Sequence, residues 1–153
     1  MKRKVFSVVL ALAAAFGLFF AAQGAFCQLG KVYVIDQEDG TSVSETIPTP
    51  AFGDIEGVKG WTVQALVDAG SEFYIYEIEP NAAMAAHKSP DEWIGYVLSG
   101  SVQLQLTDEN GAQKSVISLK KGDAMVFRAD TMHGWKGGSV KSYMLFVKPK
   151  AAE

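Results

Sequence analysis

The chain has only two histidines, and each falls in a stretch where a metal or a proton could be handled. His87 opens the first, with Glu92 five residues further on; His133 lies in the second, which runs from Gly122 to Trp135. Two imidazoles and one carboxylate make a facial triad if the fold brings them together. Such a triad holds Fe(II) and leaves positions open for a substrate or dioxygen. Mn(II), Ni(II) and Zn(II) take the same donors. The plainer alternative is that both imidazoles only form hydrogen bonds.

Four further residues are candidates for a pocket around them. Ser89 lies between His87 and Glu92. Trp135 stands two residues beyond His133 and so on the same face of a strand. If residues 92–98 are one strand, Glu92, Ile94, Tyr96 and Leu98 share a face. With Glu92 inward, Ile94, Tyr96 and Leu98 line the interior, while Trp93, Gly95 and Val97 face away. Arg128 is unusual in an apolar run; it binds a substrate carboxylate or forms a surface ion pair. Met84, Met125 and Met132 are pocket wall or ordinary core.

The elements that must position these residues are strands. Residues 31–35, 61–68, 72–79, 93–98, 101–107, 115–119, 124–128 and 140–148 are rich in β-branched and aromatic residues. In 101–107, Val102, Leu104 and Leu106 alternate with Gln103 and Gln105, the period of a half-buried strand. Asn110-Gly111 is a hairpin signal. Residues 36–60 carry two prolines and four glycines without helical period and read as an extended arm; residues 82–92 read as a loop. Eight short strands and no amphipathic helix predict an antiparallel barrel or double-sheet jelly roll.

The two stretches resemble the paired motifs of the cupin family. The first motif runs G-x5-H-x-H-x3,4-E-x6-G, and many bacterial members have one more residue before the last glycine. His87, Glu92 and Gly100 match it, and Ile94-Gly95-Tyr96-Val97-Leu98-Ser99-Gly100 is typical of small bacterial cupins. In the second motif, G-x5-P-x-G-x2-H-x3-N, Gly122 and His133 match with the right separation. The resemblance spans roughly residues 72–147 and implies an all-β, cupin-type double-stranded β-helix over 61–150. It also implies a divalent metal (Fe, Mn, Ni or Zn) on His87, Glu92 and His133, with water in the fourth place. Ser89 replaces the motif's second histidine, Arg128 its proline, Asp130 its glycine, and Asn81 stands where the first glycine belongs. A serine hydroxyl is a poor ligand for these metals.

The N-terminus reads as a targeting segment. Lys2, Arg3 and Lys4 precede an apolar run over 5–22, and small residues follow at Ala21-Ala22-Gln23-Gly24-Ala25. That is a signal peptide over residues 1–27, followed by an arm over 28–60. An uncleaved anchor or a lipidated Cys27 are the alternatives, and an uncleaved leader would add a membrane partner. Without the leader the chain keeps 11 basic against 17 acidic residues, a net charge of −6, which argues against nucleic acid. Cys27 is the only cysteine, so no intramolecular disulfide forms.

The expected protein is periplasmic or secreted and binds a small molecule such as a sugar or organic acid. The alternative is a metal-dependent oxygenase, isomerase or lyase. A homodimer paired through its sheets is expected in either case.

Overall fold

The computed structural model describes residues 29, 31–38, 41–68 and 71–149, and the expected leader lies outside them. Twelve strands and no helix are found among the described residues. β1 (Val32–Glu38) and β2 (Thr41–Ile47) form a separate antiparallel hairpin. The other ten are β3 (Gly53–Ile55), β4 (Val58–Asp68), β5 (Ser71–Ile78), β6 (Ala83–His87), β7 (Trp93–Ser99), β8 (Ser101–Thr107), β9 (Gln113–Lys120), β10 (Ala124–Phe127), β11 (His133–Gly137) and β12 (Ser142–Lys148). They divide into a six-stranded sheet, β10-β7-β12-β5-β4-β3, and a four-stranded sheet, β6-β11-β8-β9, every pair antiparallel. This is the double-sheet jelly roll that the alternation predicts.

The core fills the space between the two sheets. Trp61, Ile78, Val97, Phe127 and Met144 come from the larger sheet, and Val102, Leu104, Leu119 and Trp135 from the smaller. In β8, Val102 and Leu104 are buried while Gln103 between them is exposed. Alternation puts Gln103 on the other face, in solvent, while the apolar side is buried.

The chain crosses between the sheets at Gly100, which joins β7 to β8 with φ +73°. Ser142, fully buried at the start of β12, locks this crossing. Its hydroxyl accepts from the Ser101 amide (3.0 Å) and donates to the Ser101 carbonyl (2.8 Å). Farther along the larger sheet, Gln64 is also fully buried. Its amide accepts from the Leu29 N–H (2.9 Å) and donates to the Pro50 carbonyl (2.6 Å), tying the N-terminal segment to β4.

The expected arm over 36–60 holds β2, β3 and the start of β4. The expected loop over 82–92 begins with β6, and β11 is a further strand that the sequence pattern did not separate. Both are short. β6 pairs irregularly: His133 of β11 faces His87 and Trp135 faces Met84, so two residues of β6 stand opposite Gly134 alone. That is a bulge, and it hides the period of two.

Candidate functional site

The bulge puts Met84 and His87, three residues apart, on the same wall of a cavity. The cavity has a volume of about 220 Å³ and opens between the two sheets. Gly134 sits where β6 approaches closely, since a Cβ there would lie 3.2 Å from the Met84 carbonyl oxygen and 3.3 Å from the Ala86 nitrogen. Its missing side chain lets the bulged strand close down onto β11.

His87 and His133 are cross-strand partners, their ring centroids 4.6 Å apart. His87 Nδ1 lies 3.0 Å from the Ala85 carbonyl oxygen, and His133 Nδ1 lies 2.8 Å from that of Thr131. A carbonyl only accepts, so each Nδ1 carries the proton and donates it. In the neutral ring each Nε2 then keeps its lone pair, and both rings line the cavity. His133 is buried, and burial pulls its pKa below the usual histidine value. The Thr131 hydrogen bond opposes this, and the neighbouring His87 adds to it. The neutral imidazole is thus the favoured form of His133.

Aromatic rings make up most of the remaining wall: Trp61, Tyr76, Trp93, Phe127, Trp135 and Phe146. They pack mainly edge to face, as between Tyr76 and Phe146 (5.5 Å, 89°) and between Trp135 and Phe146 (5.9 Å, 86°), the arrangement their quadrupoles favour. Phe127 lies against His133 at 4.4 Å. Burial also raises the pKa of the Tyr76 phenol, which stays protonated at neutral pH. Among the described residues no Asp, Glu, Lys or Arg lines the cavity.

Of the residues singled out from the sequence, the structure brings His87, His133, Ser89 and Trp135 together on this cavity. Glu92 is not among them. Its carboxylate accepts from Arg128 Nη1 at 3.0 and 3.3 Å, with both side chains largely exposed. The expected facing of β7 is corrected. Ile94 and Tyr96 are 46% and 40% exposed and lie outside the cavity, whereas Trp93 lines it and Gly95 and Val97 are buried. The strand begins at Trp93, and Glu92 precedes it on the opposite side. Arg128 is accordingly a surface partner of Glu92, a pair worth about 0–1 kcal/mol at this exposure. Among the three methionines, Met84 alone lines the cavity; Met125 is partly buried against the core.

The spacing of the family motif explains the correction. With three residues between it and Ser89, and six between it and Gly100, the acidic ligand position is 93, with no extra residue needed. Trp93 fills it. Both first-motif positions that depart from ligands therefore adjoin, and they bond to each other: Trp93 Nε1 donates to Ser89 Oγ at 2.9 Å. Ser89 Oγ also accepts from the Asp91 amide at 3.1 Å. Lys148 Nζ sits over the Trp93 ring, 6.0 Å from its centroid, gripped by Asp91 (2.8 Å) and Glu72 (2.9 Å).

The chain belongs to the cupin superfamily: residues 74–147 match the family model described as the cupin domain. A search of curated proteins gave no match. Several solved structures share the fold. KdgF from Halomonas sp. is 20% identical with a TM-score of 0.55, over 67% of this chain and 89% of that one. The Cnp3 cupin domain of Schizosaccharomyces pombe is 8% identical with a TM-score of 0.61, over 80% and 89%. The polyketide cyclase RemF from Streptomyces resistomycificus is 24% identical with a TM-score of 0.53, over 69% and 71%. At these identities the shared property is the fold.

Cupins often bind a divalent metal, and the residues of this cavity fit one poorly. Among the described residues, no three of His, Cys, Asp or Glu are grouped to hold an ion. The two imidazoles converge, but the serine oxygen is spent on two hydrogen bonds and an indole occupies the carboxylate's place. Indole is only a donor and cannot ligate a cation through nitrogen.

Proposed function

We propose that this protein is an exported cupin that captures a small ring-containing molecule in its barrel, without catalysis. The observation that carries the reading is the lining: six aromatic side chains around about 220 Å³, with no carboxylate or basic chain among them. An apolar cavity of roughly 150 Å³ suffices to take up benzene, so the space suits one substituted ring. A metal-dependent oxygenase, isomerase or lyase would need the inward carboxylate that Trp93 replaces.

Titration of the purified protein with toluene, followed by tryptophan fluorescence and melting temperature, tests the binding. Both signals should respond, because Trp61, Trp93 and Trp135 all line the cavity. Trp93→Ala should weaken the affinity about tenfold, the equivalent of one lost aromatic contact with its buried area. No response to toluene up to its solubility would count against the pocket.

Support for export comes from Lys2-Arg3-Lys4, the apolar run over 5–22 and the small residues that follow. The mature protein should be found in the periplasm or medium, with an N-terminus near Ala25 or Gln28. N-terminal sequencing checks this, and a cytoplasmic protein retaining Met1 would contradict it.

A further inference from the structure

The geometry points to a phenol as the ligand class: one aromatic ring carrying a hydroxyl that donates to an Nε2 of the His87–His133 pair. This rests on the binding reading above and adds to it which end of the ligand is polar and what that end must do.

The polar inventory of the cavity decides which end of the ligand is polar. The Ala85 and Thr131 carbonyls take the Nδ1 protons of both histidines. What the rings then offer is a pair of acceptors, with ring centroids 4.6 Å apart at one place on the wall. A ligand that meets them must bring a proton of its own. A ketone or an ether oxygen has none and, at the histidines, would oppose lone pair to lone pair. Of the other polar side chains of the lining, Ser89 Oγ accepts from Asp91 and Trp93, which spends Trp93 Nε1 but leaves the serine proton. The Tyr76 hydroxyl and the Trp61 indole also line the cavity. Trp61 Nε1 is buried without a hydrogen-bond partner among the described residues, a donor that the ligand's oxygen can meet.

The same inventory excludes other ring-shaped ligands. A sugar stacks well on indole but brings many hydroxyls, and most would be buried against Phe127, Phe146, Met84 and the tryptophans without partners. An aromatic carboxylate or ammonium ion would enter a cavity with no opposite charge among its lining residues. A single ring with a neutral hydroxyl gives its one proton to one Nε2 of the pair, keeps lone pairs on its oxygen for a donor, and brings no further polar group to bury, while the aromatic walls pack on its faces and edges.

Phenol, anisole and toluene separate the possibilities, using the mature protein and isothermal titration. Phenol should bind at least about tenfold tighter than anisole, which keeps the oxygen but loses the proton. His87→Leu should abolish that preference, bringing phenol and anisole to within about threefold of each other. His87 is solvent-exposed, so this variant should fold, and circular dichroism verifies it. His133→Leu should act in the same direction. If anisole binds as tightly as phenol, or the preference survives in both variants, the hydroxyl inference is overturned although the pocket stands. If none of the three binds, the pocket reading falls with it.

Discussion

Ser89→His combined with Trp93→Glu should raise the affinity of the barrel for Ni(II) or Zn(II) at least about 100-fold over the wild type. The double substitution supplies the second imidazole and the carboxylate at positions that already face inward. Ser89 and Trp93 both line the cavity beside His87 and His133, and they touch each other through the Nε1–Oγ hydrogen bond. Two imidazoles then become three, joined by one inward carboxylate, which completes a four-ligand set. Ser89→His alone should gain less, because the indole still occupies the carboxylate's place. Glu92→Gln should leave the metal affinity of the double variant unchanged, since Glu92 points outward to Arg128. Metal content after dialysis and calorimetric titration read all three. Loss of the gained affinity in the Glu92→Gln background would show that Glu92, not position 93, faces the ion.

Gly100→Val should destabilise the fold by roughly 3–5 kcal/mol, combining left-handed strain with overpacking. The backbone there has φ +73°, which a β-branched residue adopts only under strain. A Cβ would also run into Ser142 Oγ and lie 2.9 Å from the Lys141 carbonyl oxygen. Ser142 cannot move aside without breaking its two bonds to Ser101, and those bonds hold the crossing between the sheets. The melting temperature should fall by about 10 °C or more. Gly111→Val is the matched control. It has φ +80° but open space around it, so it should carry the strain without the collision and cost less. Equal losses at the two sites would show that packing at Gly100 contributes nothing.

Much of this architecture was legible in the sequence because strands announce themselves by alternation. Val102 and Leu104 against Gln103 gave both the element and its buried face. The pairing of His87 with His133 came from motif spacing, and the structure places the two rings side by side. The facing of β7 was not legible, because alternation fixes two sets of residues without saying which set is inside. Taking Glu92 as the ligand turned the whole strand around. The rings of Trp61, Tyr76, Phe127 and Phe146 look like core in one dimension. They belong to the cavity wall only because four separate strands, β4, β5, β10 and β12, bring them to one place. The signal that could have identified Trp93 was the unmodified motif spacing, with six residues between the acidic position and Gly100.

The bulge in β6 gives Ala85 and Ala86 a role that neither side chain has. They occupy one rung opposite Gly134, and that doubling lets Met84 and His87 look into the same space. Chain length, rather than residue type, is what this pair encodes. Any alanine replaced by a serine keeps the count. The same residues run as a regular ladder would put Met84 and His87, three apart, on opposite faces, so either the imidazole or the thioether would turn outward. A chain shorter by one residue needs no bulge, because the methionine and the histidine would then stand two apart and share a face. The composition of the cavity therefore depends on the spacing and the bulge together, in a way that no table of substitutions would reveal.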